Sequence, residues 1–260
     1  IAPELCTRTQ KSLDGCPANR QTRCNRRQRY LRLQFMKQLF WGAFATCLLW
    51  CCSETPDARV RTADCYVRYL KPESQVFSEV VLRTETPSEA GTQSMEALEG
   101  VRYRGILMRS LNLQGTTTYR LEQPGGYAPE HTFSWKDEHQ QHTFQMNLPP
   151  IFAFSFDSDT LSHKKPATLT WEGAPLDKNE HIVLIWENAT LGLTVPMEII
   201  GYPGQDRIEF PAAQLTKLAP GTWTLYLVRK KSNQTTANGI NLRGIAEYYT
   251  DLDTVTVVSF

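Results

Sequence analysis

Beyond Cys65 this 260-residue chain has no cysteine; the other six of its seven stand at or before Cys52. One thiol downstream of Cys52 excludes an internal disulfide framework and a cysteine-based zinc site from that region. The chain also lacks a long apolar run: 39–50 supplies twelve largely apolar positions, fewer than the roughly 20 a membrane-spanning helix needs. No apolar pattern of helical period persists for twelve residues, which argues against a helical fold. Neither a Gly-x-Ser-x-Gly elbow nor a His-Glu-x-x-His motif occurs, so two common hydrolase signatures are missing. Gly125-Gly126 has no strand-to-helix context and is a turn signal, not a phosphate loop.

What is present begins with an address. Met36-Lys37, the apolar run and Ser53-Glu54-Thr55-Pro56-Asp57 follow the order of basic start, hydrophobic core and polar exit of an export signal. Cleavage before Cys52 puts Leu49 at −3 and the small Cys51 at −1, whereas cleavage before Cys51 would put bulky Trp50 at −1. The expectation is a signal peptide over 36–51 and an acylated Cys52 that anchors the chain to a membrane; the alternative is a plain secretory signal with incidental cysteines. Residues 1–35 carry seven Arg and one Lys against Glu4 and Asp14. They are expected to be a non-native or disordered basic extension with Met36 as initiator, the alternative being an arm for nucleic acid or anionic lipid. Residues 1–51 hold nine of the 28 basic and two of the 27 acidic residues, which leaves 19 against 25, a net of −6. That balance argues against nonspecific nucleic-acid binding.

Downstream, short alternating or β-branched runs recur about every ten residues between Gly, Pro, Asn and Asp, the pattern of sandwiches and barrels. The reading is all-β: a tether over 52–63, then two tandem β-sandwich domains over 64–149 and 150–260, joined at Pro149-Pro150. In the hairpin 131–148, His131, Phe133 and Trp135 and then His142, Phe144, Met146 and Leu148 fall on one face, with a turn at 137–140. Before it, 65–70, 75–83, 101–109 and 116–121 predict strands, and 84–100 a loop with a turn of helix at 95–98. Cys65 alternates with Val67 and Tyr69, which suits a buried small hydrophobe. In the second half, 152–156, 168–171, 182–186, 194–200, 207–210, 222–228, 243–249 and 254–258 predict strands, with 182–186 central and covered on both faces. Leu215, Leu218 and Pro220-Gly221-Thr222-Trp223 resemble the corner before a late immunoglobulin strand, with Trp223 in place of the customary tyrosine.

Leu49-Trp50-Cys51-Cys52-Ser53, His131-Thr132-Phe133-Ser134-Trp135, Leu148-Pro149-Pro150-Ile151 and Leu169-Thr170-Trp171 together resemble the tandem-sandwich lipoproteins of Bacteroidota envelopes. The resemblance spans most of 36–260. It implies immunoglobulin-like sandwiches held at the cell envelope, at the outer membrane, and supplies no catalytic residue.

His139 and His142 with Asp137 and Glu138 form the only histidine-rich cluster, but a hairpin turning there makes the two rings diverge, so no metal site is expected. Asp157-Ser158-Asp159 and Asp251-Leu252-Asp253 lack the length and glycine of a calcium loop and suit strand-end turns. Glu172, Glu187, Glu198 and Glu209 lie near strands, with nothing to pair them for glycoside cleavage. Asn188-Ala189-Thr190 matches a glycosylation triplet but is more simply loop. Aromatic residues are the better lead, because sugars stack on exposed Tyr and Trp faces. Adjacent Tyr248 and Tyr249 must point to opposite faces of a strand, and Tyr226 is out of phase with Trp223. Tyr226, Tyr248 and Tyr249 are therefore the candidate ligand-binding residues. The expected protein is a non-enzymatic, lipid-anchored envelope component with a binding or structural role, without cofactor or metal, with a glycan or another envelope protein as partner and no nucleic acid; the alternatives are a carbohydrate-binding or adhesion module and, after it, a metal-assisted hydrolase.

Overall fold

Period-two alternation becomes sheet along almost its whole predicted course. The computed structural model describes residues 60–85 and 92–260. The strands are β1 (Val60–Leu70), β2 (Gln75–Glu85), β3 (Thr92–Ser94), β4 (Val101–Tyr103), β5 (Ile106–Leu107), β6 (Arg109–Leu113), β7 (Thr116–Pro124), β8 (Glu130–Lys136) and β9 (Gln141–Asn147). After Pro149-Pro150 come β10 (Ile151–Phe156), β11 (Thr160–Ser162), β12 (Ala167–Gly173), β13 (Glu180–Asn188), β14 (Leu193–Ile199), β15 (Arg207–Phe210), a short helix α1 (Ala212–Leu215), β16 (Gly221–Ala237), β17 (Ile240–Tyr249) and β18 (Asp253–Val258). The expected basic extension 1–35, the expected export segment 36–51 and Cys52 lie outside the described residues. Among the described residues no helix is long and apolar enough to cross a membrane.

The second half is an immunoglobulin-like sandwich. One sheet is β10-β12-β15, and facing it β14, β13, β16 and β18 pair in succession, with β11 running parallel to β18. These are the A-B-E and C′-C-F-G groupings of that architecture. Leu169, Trp171, Ile182, Leu184, Trp186, Ile208, Phe210, Trp223 and Leu225 fill the interval between the sheets. The corner forms as its residues suggest: α1 buries Leu215, Leu218 follows into the core, and Trp223 Nε1 donates to the Ala219 carbonyl at 2.8 Å. β13 is central in its hydrogen bonding, but Val183 and Ile185 remain half-exposed, so it is covered fully on one face only.

The first half is a sandwich that borrows a strand. The sheet β5-β4-β8-β9 packs its buried face, with Tyr103, Phe133, Trp135, Phe144 and Met146, against β1 and β2 and against β17. β17 reaches this position because β16 is unusually long. Its first part pairs with β18 and β13, and its last ten residues pair with β17 across the turn at Asn238-Gly239. Both turn residues have positive φ, 54° and 71°, as a two-residue hairpin turn demands. β17 then pairs in parallel with β1 over ten residues, Arg61 opposite Ile240 through Leu70 opposite Tyr249. Backbone hydrogen bonding thus runs unbroken across the expected 149/150 boundary, and 60–260 fall within one compact unit, Pro56–Phe260. Gly244 is required at the crossing of β17 and β9: a Cβ there would stand 2.3 Å from Met146 Sδ and 2.4 Å from Phe144 Cε1.

Three local expectations need correction. Residues 60–63, expected to belong to the tether, are strand: Val60 opens β1, and Thr62 and Ala63 are buried. The single strand expected over 101–109 is broken by Arg104-Gly105, both at positive φ, which turns β4 back on β5. Residues 95–98 form no helix; Met95 N instead donates to the Leu82 carbonyl as the chain leaves β3.

Candidate binding face

Strand alternation decides which tyrosines can meet a ligand. On β16, Trp223, Leu225 and Leu227 point into the core, so Tyr226 points outward; on β17, Ala246 and Tyr248 point inward and Tyr249 outward. Tyr249 is registered with Val228, which puts Tyr226 on the diagonal beside it. Their ring centroids lie 6.0 Å apart with planes inclined by 31°. Leu70 stands opposite Tyr249 on β1, and the turn after β1 brings Glu73 to the same place. Together with Glu187 and Leu252 these residues line an open cleft of about 330 Å³. Tyr226 and Tyr249 are half-exposed.

The electrostatics of the cleft are negative. Burial raises the Tyr226 phenol above its ordinary value, and the Glu187 carboxylate adds to the rise. Tyr249 is pushed up to about 12, first by burial and then by Glu247, whose Oε2 accepts its hydroxyl at 3.2 Å. Glu247 Oε2 also accepts Tyr66 Oη at 2.7 Å, and its other oxygen lies 3.4 Å from Lys230 Nζ. Farther along the face, the Arg68 guanidinium lies 5.4 Å from the Phe77 ring centre. All of these residues stand on the outer face of the sheet that runs through both halves.

Tyr248 is excluded from that face. It is 3% exposed and stacks on Tyr69 at 5.5 Å, with Tyr127 edge-on at 4.6 Å. Its candidacy as a ligand residue is corrected by the same alternation that exposes Tyr249. Burial among these rings pushes the Tyr248 phenol up to about 12. Nearby, His131 accepts or donates at 2.8 Å to Tyr103 Oη and is pushed down to about 4, chiefly by burial and further by Arg104. Beneath Tyr127, the side chains of Arg229 and Glu180 are 0% exposed. They pair directly, and the guanidinium also donates to the carbonyls of Ala174 and Pro175 at 2.8 Å each. Lys231 caps the other Glu180 oxygen at 3.1 Å.

The histidine cluster is structural. His142 is buried, stacks on Trp135 at 5.3 Å, and its Nε2 lies 2.8 Å from Asp137 Oδ2. Arg61 donates to that same oxygen at 2.8 Å, while Asp137 Oδ1 accepts the backbone N–H groups of His139 and Gln140. Burial opposes the Asp137 charge, yet these donors hold its carboxyl well below the usual carboxylate range. His139 is exposed at the tip, apart from His142. Among the described residues no group of three or more His, Cys, Asp or Glu side chains is placed to hold a metal ion.

The remaining carboxylates do not pair for hydrolysis. Glu198 is registered with Val183, four residues from Glu187, so the two leave the same face about 13 Å apart at the usual strand rise. That exceeds the separation of either glycosidase mechanism. Glu172 and Glu209 are exposed on the opposite sheet. Asn188 is buried, donating to the Thr222 carbonyl and accepting Leu191 N, so its glycosylation triplet is closed off by structure. Asp251 pairs with Lys71, and Asp253 accepts Thr254 N at 2.8 Å, both as strand-end fixtures.

Neither a protein-family model nor a curated protein sequence matches the chain. Among solved structures it is similar to murine CEACAM1b, with 8% identity over 77% of this chain and 100% of that one and a TM-score of 0.23. It is also similar to domains A168-A170 from titin, with 9% identity over 77% of this chain and 68% of that one and a TM-score of 0.21.

Proposed function

We propose that this protein is a non-enzymatic, lipid-anchored component of a bacterial cell envelope, held at the outer membrane through Cys52, whose sandwiches bind or space a partner. The anchor reading rests on the order of Met36-Lys37, apolar run, Cys51-Cys52 and polar exit. The binding reading rests on one observation: Tyr226 and Tyr249 stand side by side above an open cleft, while buried His142 and the buried Arg229–Glu180 pair are consumed by structural bonds. Growth with a fatty-acid probe tests the anchor. Label incorporated by the wild type and lost in Cys52→Ser is the expected result, and an unlabelled, freely secreted wild type contradicts it.

A second reading, carbohydrate binding or adhesion, is favoured by the same tyrosine pair, since two adjacent phenol rings offer a platform for the apolar face of a sugar ring. Glycan-array binding should be lost in Tyr226→Ala and Tyr249→Ala with thermal unfolding unchanged. Binding retained in both variants would place the ligand elsewhere.

A further inference from the structure

The chemistry of the Tyr226–Tyr249 cleft narrows its ligand beyond a sugar in general, and the narrowing rests on the glycan reading above. Two rings 6.0 Å apart cannot admit a group between them, because two van der Waals contacts of about 3.5–4 Å each would require roughly 7–8 Å. A ligand therefore lies across the rings, with Leu70 and Leu252 beside it.

The polar groups around that platform are almost all acceptors. Among the described residues neither Glu73 nor Glu187 is in an ion pair, and no donor reaches either carboxylate. No Lys, Arg or His lines the cleft. Thr250, also at its wall, is already spent: its hydroxyl accepts Leu227 N at 2.9 Å and donates to the Asp251 carbonyl at 2.9 Å. The Tyr249 hydroxyl is committed to Glu247. A neutral sugar can donate hydroxyl protons to the two carboxylates but leaves both without a counter-charge. A sugar that also carries an ammonium group brings three donors, no acceptor and a positive charge to them, and the negative faces of two phenol rings add attraction for a cation.

We infer that the cleft formed by Tyr226, Tyr249, Glu73 and Glu187 binds a sugar carrying a free amine, with the pyranose lying across the rings and the ammonium group between the carboxylates. Ammonium–carboxylate contacts of this kind weaken with salt because the cleft is open to solvent.

Calorimetric titration of the purified full chain with a glucosamine trisaccharide, its fully N-acetylated counterpart and a lysine-containing tripeptide tests this. Acetylation removes the charge and keeps the ring. The glucosamine trisaccharide is expected to bind most tightly, the acetylated form and the tripeptide roughly tenfold weaker or worse, and Glu187→Gln and Glu73→Gln each to weaken glucosamine binding roughly tenfold. Thermal unfolding of both variants should match the wild type. Equal affinity for the acetylated trisaccharide overturns the ammonium assignment while leaving a glycan site standing. Tighter binding of the tripeptide assigns the cleft to a protein cation and overturns the amino sugar. Binding of none of the three overturns both the inference and the glycan reading.

Discussion

Replacing Gly244 with alanine tests whether β17 closes the first sandwich. The new methyl carbon would sit 2.3 Å from Met146 Sδ and 2.4 and 2.7 Å from Phe144 Cε1 and Cζ. Both side chains are buried, at 4% and 3% exposure, so neither can swing into solvent. Overpacking of this kind costs about 1–3 kcal/mol, and the lower chain entropy of alanine in the unfolded state offsets about 0.4–1 kcal/mol. The net loss is about 1–2 kcal/mol, a fall in Tm of about 2–8 °C for a unit of this size. Phe144→Ala alone leaves a cavity and costs about 3–5 kcal/mol. In that background the methyl at 244 has room, so the double variant should be more stable than the sum of the singles by about 0.5–3 kcal/mol. Urea unfolding followed through tryptophan fluorescence measures all three, because Trp135 reports the first sandwich and Trp171, Trp186 and Trp223 the second. A Gly244→Ala protein as stable as the wild type, or strictly additive variants, would refute the packing of β17 on β9.

Removing one member of the buried pair, as in Glu180→Gln, strands the Arg229 charge without water and should cost about 3–5 kcal/mol in urea; Arg229→Met with Glu180→Leu should cost less than either single change. His131 is neutral in the folded state and titrates near 4, against an ordinary 6.5. The unfolded chain therefore binds the extra proton between those values, and stability should fall as pH drops from 6.5 to 4, by about 3 kcal/mol. Partly buried His181, whose pKa is also lowered by burial, contributes in the same direction. His131→Gln should flatten the pH profile of Tm over this window. Burial pushes the Cys65 thiol far up, so in a chain whose other cysteines are serine it should react with a thiol reagent only on unfolding.

The sequence was most legible where alternation is strict. The hairpin of β8 and β9 has the predicted faces, with His131, Phe133, Trp135, His142, Phe144 and Met146 all buried, and the opposed directions of Tyr248 and Tyr249 follow from adjacency alone. The polar end of β16, Lys230-Lys231-Ser232-Asn233-Gln234-Thr235, reads as loop because it buries little. It is strand because β17 satisfies its backbone, and Asn238-Gly239 was the local signal for that hairpin. No local pattern announces the parallel pairing of β1 with β17, whose partners are almost 180 residues apart. That pairing brings the turn bearing Glu73 beside Tyr249, so half of the cleft was invisible to any reading of neighbouring residues.

Ring-labelled tyrosine NMR during titration with the glucosamine trisaccharide addresses the binding face most directly. The ring signals of Tyr226 and Tyr249 should shift in proportion to occupancy, while buried Tyr69 and Tyr248 and the partly buried Tyr127 packed with them on the other side of the sheet stay in place. Shifts confined to other tyrosines, or saturation with Tyr226 and Tyr249 unmoved, would contradict the assignment of this face as the site of binding.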